Sequence, residues 1–136
     1  MHSGAAVSET RLVKEILLAL GNESDLIVWR NNTGKLADAN GRWVTYGLGV
    51  GSADIIGVLG PWGRFIALEV KRPGAKQRAE QINWERAVVG QAGFYLVVHS
   101  AAEAIGAIRD ARVDCRLRED AVVDSMTAYS ASGPSD

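Results

Sequence analysis

The chain contains a single cysteine, Cys115, among 136 residues. One thiol forms no internal disulfide, which excludes the cross-linked scaffolds of small secreted proteins and points to a reducing compartment. No apolar run approaches the roughly 20 residues of a membrane-spanning helix. The opening residues MHSGAAVSET carry neither the basic nor the apolar block of a secretion signal. The expectation is therefore a cytoplasmic protein without a membrane partner. Neither sign of charge is in excess: 15 Lys and Arg stand against 16 Asp and Glu, a net charge of −1. Such a balance excludes a strongly basic protein that coats nucleic acid indiscriminately. The two histidines, His2 and His99, lack His or Cys partners at ligand spacing, which argues against a zinc site. No internal repeat occurs.

What is present fits one soluble domain. The length suits one compact unit and is too short for two. Apolar residues make up 47% and charged residues 23%, the mixture of a globular protein. The charge is unevenly placed: residues 1–29 carry net −2, residues 30–100 net +4, and residues 101–136 net −3. A charge run is commonly a solvated face; here the positive one coincides with the segment that holds the chemistry.

Ser8 precedes Leu12, Val13, Ile16, Leu17 and Leu20 at helical spacing, with Gly21-Asn22 as the stop, so a capped helix is predicted there. Leu26–Trp29 reads as a short buried strand. A long loop rich in Gly, Asn and Asp follows, with a short ribbon expected at Arg42–Tyr46; loops of this length in compact domains tend to be functional or disordered. Two apolar runs, ADIIGVL and RFIALEVK, flank Gly60-Pro61-Trp62-Gly63, the pattern of a hairpin. Arg78 to about Val89 reads as a helix burying Ala79, Ile82, Val88 and Val89. Phe94–Val98 reads as a buried strand, and Ser100 caps a helix from Ala101 to about Asp110. Residues 113–123 are ambiguous. The domain is expected over 1–124, with a disordered tail at 125–136. The order α-β-β-β-α-β-α predicts an α/β fold: a small mixed sheet flanked by helices.

The hairpin carries three ionisable residues among apolar neighbours. If Leu59 pairs with Arg64 across the turn, Asp54 lies opposite Glu69, and Lys71 shares their face. A slip of one residue would turn Asp54 away. Each charge alone is most simply a solvated strand end or an ion pair. Together they supply what a hard divalent cation needs, clustered carboxylate oxygens with a backbone carbonyl nearby, and a lysine beside the reacting water.

Asp54, fourteen intervening residues, then Glu69-Val70-Lys71 resembles the signature of the PD-(D/E)xK nuclease superfamily, and residues 8–105 resemble its VRR-NUC branch. The shared features are Ser8-Glu9 before an apolar helix, Trp29-Arg30-Asn31-Asn32 with Gly34, and Gly47-Leu48-Gly49 leading to Ser52-Ala53-Asp54-Ile55-Ile56-Gly57-Val58. Gly63-Arg64-Phe65 before Leu68-Glu69-Val70-Lys71 also matches, as do Glu80-Gln81 and Gly90 to Gly93 before FYLVV. Ala53 departs from the superfamily's proline at a position that does not touch the metal. The resemblance implies a restriction-endonuclease-like core and a Mg²⁺- or Mn²⁺-dependent hydrolase of DNA, leaving 5′-phosphate and 3′-hydroxyl ends. It implies that Asp54, Glu69 and the Val70 carbonyl ligate the metal, that Lys71 orients or activates the attacking water, and that Gln81 holds the lysine or the scissile phosphate. Glu9 matches a first-helix glutamate that completes the site, with Glu15 as the competing candidate; a first-turn glutamate is also favoured simply by the helix dipole.

Arg30, Asn31, Asn32 and Lys35 on the long loop, and Arg72, Lys76 and Arg78 beyond the hairpin, are the candidate DNA contacts. GLGVGS superficially suggests a dinucleotide loop but precedes a strand rather than a helix. Trp29, Trp43 and Trp84 are expected in the core, and Trp62 at the hairpin tip either projects or folds back. Stand-alone domains of this kind occur in phages and bacteria, and some cut branched DNA such as Holliday junctions as homodimers. Two strands need two active sites, which a symmetric dimer provides. The competing readings are a catalytically inactive DNA-binding or assembly subunit that retains the fold, and a structural domain with a buried charge cluster. Intact Asp54, Glu69 and Lys71 speak against the first, and metal binding would separate the second.

Overall fold

The computed structural model describes residues 8–134; His2 and the last two residues of the expected tail lie outside them. The first helix, α1, spans Glu9–Leu20, and the Ser8 hydroxyl accepts from the Arg11 N–H at its start. Six strands follow: β1 (Leu26–Arg30), β2 (Gly34–Ala37), β3 (Trp43–Tyr46), β4 (Ile55–Leu59), β5 (Arg64–Val70) and β6 (Phe94–Val98). Helix α2 (Ala79–Gly90) lies between β5 and β6, and α3 (Ala101–Ala131) ends the fold. Among the described residues no helix is long and apolar enough to cross a membrane.

Four strands form one mixed sheet in the order β1-β4-β5-β6. The first three are antiparallel neighbours; β6 runs parallel to β5, as a strand returning through a helical crossover does. The β4–β5 register pairs Leu59 with Arg64 and Ile55 with Leu68, so the pairing assumed from the turn is the one formed. Because side chains alternate across a strand, Ile55, Leu59, Ile66, Leu68 and Val70 point to one side. There they pack against Leu12, Val13, Ile16 and Leu20 of α1 and Ala104, Ala107, Ile108 and Ala111 of α3. The opposite face is only half covered. Helix α2 lays Trp84 and Val88 over Phe65, Ala67, Tyr95 and Val97, and Trp84 stands edge-on to Phe65 with ring centroids 6.1 Å apart.

Several expectations are corrected. Strand β1 is an edge strand, not a buried one, and Ile27 is 67% exposed because α2 does not reach that half of the sheet. Trp29 and Trp43 lie outside the core, while Trp84 lies within it. Helix α2 buries Gln81 alone; Ala79 and Val89 are exposed, and Ile82 and Val88 are half-buried. Helix α3 continues through 125–131, where a disordered tail was expected, and ends at Ser132 just before Gly133-Pro134. From Ala107 to Ala131 the sequence contains neither Gly nor Pro, and its five alanines and four arginines are strong helix formers. Trp62 folds back: its indole N–H donates to Glu119 of α3 at 2.9 Å.

Candidate active site

The site forms where β4 begins and β5 ends. Asp54 directly precedes β4, opposite Glu69 by continuation of the hairpin register. Its Oδ2 accepts the Val70 N–H at 2.8 Å, a charge-assisted bond that fixes the carboxylate over the strand. Glu69 is 3% exposed. Its Oε1 accepts from Gln81 Nε2 at 2.8 Å and lies 3.7 Å from Lys71 Nζ. Its Oε2 is buried with no hydrogen-bond partner. Lys71 is itself buried, with its backbone N–H bonded to the Val98 carbonyl at 3.0 Å.

Gln81 has one orientation available. Its Oε1 accepts the Arg78 N–H at 2.8 Å, closing the first turn of α2 in the manner of a capping box. The amide nitrogen must then face outward from the turn, and it meets Glu69. The first contact of Gln81 is thus the second carboxylate, rather than the lysine or a phosphate.

Burial is the largest influence on Glu69, and the Asp54 charge is the next. Both disfavour ionisation. Lys71 partly offsets these effects and Glu9 adds to them, so the Glu69 carboxyl is pushed up to about 8. Tyr95, buried behind them, accepts from Gln77 Nε2 at 3.1 Å; burial foremost pushes its phenol up to about 12.

The donor chemistry suits a hard divalent cation. Two adjacent carboxylates repel each other, one oxygen lacks any partner, and a cation between them would satisfy both. Among the described residues, no three acidic, His or Cys side chains converge as a ready-made ligand group. Completion would fall to the Val70 carbonyl, water or a phosphate oxygen. Of the two glutamates on α1, Glu9 is half-buried and its charge bears on Glu69. Glu15 is exposed and pairs with Arg11 at 3.5 Å. His99 meets Glu103 at 2.9 Å on α3, and this contact foremost lowers the Glu103 carboxyl.

The candidate DNA contacts divide into two kinds. Asn31 braces the structure: its Nδ2 donates to Ser52 Oγ at 2.8 Å and the Ala53 carbonyl at 2.9 Å, and its backbone N–H bonds the Asp54 carbonyl at 2.8 Å. This ties the start of the long loop to its end, next to Asp54. Arg30, Asn32, Lys35, Arg72, Lys76 and Arg78 are all exposed. Lys35 and Arg78 line one cleft of about 180 Å³ between the loop and the start of α2. The loop itself is mostly the β2–β3 ribbon, with Lys35 paired to Thr45 and Ala37 to Trp43. Two contributors escape a motif reading. The Val70 N–H orients Asp54, a role that follows once the hairpin register is known. Gly51, with φ +85°, lets the loop touch α2: a Cβ there would lie 2.3 Å from the Glu80 carbonyl oxygen.

No protein-family model matches the chain. No curated protein matches it. Among solved structures, the chain is similar to one described as a VRR_NUC domain. The two are 22% identical, the TM-score is 0.45, and the alignment covers 74% of this chain and 90% of that one.

Proposed function

We propose that this chain is a metal-dependent DNA endonuclease that hydrolyses phosphodiester bonds, acts as a homodimer and prefers branched DNA such as Holliday junctions. Its setting would be the cytoplasm of a bacterial or phage-infected cell. The observation that carries the reading is Glu69: a carboxyl buried beside Asp54 and Lys71, with one oxygen unpartnered. Buried strand charges are costly unless they are paired or hold a metal, and a cation would satisfy the unpartnered oxygen. The sequence resemblance to the VRR-NUC branch points the same way.

In this reading Asp54, Glu69 and the Val70 carbonyl hold Mg²⁺ or Mn²⁺, with Glu9 as the nearer candidate for completing the shell. The cation supplies positive charge and Lewis acidity beside the scissile phosphate. The remaining work belongs to the chain. Lys71 Nζ, held near Glu69 Oε1, orients the attacking water and carries positive charge toward the phosphate. Gln81 locks Glu69 from behind, so the carboxylate does not swing when substrate enters. Lys35 and Arg78 flank the approach, with Arg30, Asn32, Arg72 and Lys76 nearby for phosphate contacts that position the strand.

The test uses purified chain with labelled four-way junctions and linear duplexes. Cleavage is expected in Mg²⁺ or Mn²⁺, faster on the junction, and abolished by EDTA. Moderate affinity that weakens with added salt is also expected, because the attraction is confined to one face. Failure to cleave either DNA in either metal would overturn the proposal.

A further inference from the structure

The last four turns of α3 leave the body of the protein with an apolar stripe uncovered. At 100° per residue, Ala104, Ile108, Ala111, Cys115, Val122, Met126 and Tyr129 lie within about 40° of one line along the helix. The first four of these, Cys115 among them, are buried in the core. The last three are exposed, Tyr129 at 82%. The stripe that buries the N-terminal half of α3 thus continues past the point where the sheet ends.

Two charged residues interrupt the stripe, and both are engaged within the chain. Arg118 bonds Asp114 at 3.0 Å, and Glu119 accepts from Trp62. Beside them the helix overlooks a cavity of about 370 Å³ among Trp62, Arg64, Ala92, Cys115, Glu119 and Val122. The Arg64 guanidinium in its wall bonds Asp114 and lies 5.5 Å from the Phe94 ring centroid, so the wall is fixed before anything enters. The same helix therefore carries an apolar socket at Cys115 and a protruding aromatic at Tyr129. Val122 lies midway, seven residues from each.

We propose that this stripe is the surface on which a second copy of the chain docks, with the two α3 helices antiparallel and crossing at Val122. Two-fold pairing about Val122 sets Val122 against its own counterpart. It brings Tyr129 of each copy to the level of Cys115 in the other, where the cavity lies. Plug and socket are then satisfied twice by one symmetry operation, as an isologous interface requires. A parallel pairing would set tyrosine against tyrosine and leave both sockets empty. The phenol ring fills apolar space while its hydroxyl reaches the polar wall of Arg64 and Glu119, the mixed setting tyrosine favours at interfaces. The socket adjoins Arg64 at the first residue of β5, and Glu69 lies near the other end of that strand. The socket and the proposed active site thus lie toward opposite ends of β5. The inference supplies the surface for the dimer within the proposed nuclease reading, but its test reads association and contact rather than cleavage.

Sedimentation equilibrium of the full chain should show a dimer at tens of micromolar. Val122→Asp should raise the dissociation constant at least about thirtyfold, with the helical circular dichroism retained. A Val122→Cys variant in a Cys115→Ser background should cross-link to its own copy under mild oxidation. Tyr129→Cys in the native background should cross-link to Cys115 of the second copy. Leu117→Cys, on the opposite side of α3, should not cross-link. A wild type that stays monomeric, a Val122→Asp protein that dimerises as wild type does, or cross-linking only through Leu117→Cys would each overturn the assignment. None of these results depends on whether the chain cuts DNA.

Discussion

Glu69→Gln should reduce DNA cleavage by at least about a hundred- to a thousandfold, the range for removing one preorganised electrostatic contributor, while making the metal-free protein more stable above neutral pH. The two effects share one cause. Glu69 is buried against Asp54, so its carboxyl is pushed up to about 8 in the folded protein, against an ordinary value of 4.5. Between those values the folded chain holds a proton that the unfolded chain has released. The stability that the protonated Glu69 carboxyl contributes is therefore fully present below about 4.5 and is lost as pH rises through the folded value. Glutamine keeps the shape and can still accept from Gln81 Nε2, but it has no charge to desolvate. Thermal unfolding in EDTA between pH 5 and 9 should show a wild-type midpoint that falls toward pH 8 relative to the variant's. The gap should reach several degrees, since 1 kcal/mol moves the midpoint of such a domain by roughly 4 °C. Magnesium should restore the wild type at pH 8 and leave the variant unchanged. Parallel curves for the two proteins would refute this origin of the carboxyl's behaviour.

Gly51→Ala should lower cleavage by about a hundredfold without touching a catalytic side chain. Gly51 has φ +85°, and an added Cβ would meet the Glu80 carbonyl oxygen at 2.3 Å, its carbon at 2.4 Å and the Gln81 nitrogen at 2.9 Å. These atoms are helix backbone and cannot rotate aside. The left-handed conformation adds roughly 1–2 kcal/mol for any residue with a Cβ. The least costly relief separates the loop from the start of α2. On one side of that seam the loop runs into Asp54; on the other, Gln81 holds Glu69. A shift of about 1 Å between the two carboxylates is enough for a loss of that size. Gly49→Ala is the control, because a Cβ there meets nothing within 4 Å. Equal cleavage by the Gly51 and Gly49 variants would show that the seam does not position the site.

The central hairpin is legible in the sequence because its turn and its alternation agree. Gly60–Gly63 sets the loop length, and Ile55, Leu59, Ile66 and Leu68 each demand the same face, so one register satisfies every residue. Asp54 and Glu69 follow from that register, and Lys71 follows by alternation. The ribbon, the edge strand and the long helix were less legible for a common reason. Propensity and periodicity describe a segment's own conformation, not what covers it. Trp29 has the composition of a buried strand, yet its half of the sheet receives no helix. Trp43 sits on a two-stranded ribbon without a layer behind it, which leaves it 74% exposed. Residues 116–131 form helix through intrinsic preference while burying nothing within the chain. Gln81 illustrates the opposite case: a polar residue in a helix looks solvated in sequence, but its cap bond and Glu69 draw it inward.

The central claim is that Asp54, Glu69 and Lys71 form a metal-dependent centre for phosphodiester hydrolysis. The most direct measurement is cleavage of a labelled junction by wild type and Asp54→Ala in Mg²⁺, with and without EDTA, alongside circular dichroism of both proteins. The account predicts cleavage by wild type that EDTA stops, and none by a folded Asp54→Ala protein. Full activity in that variant would contradict it.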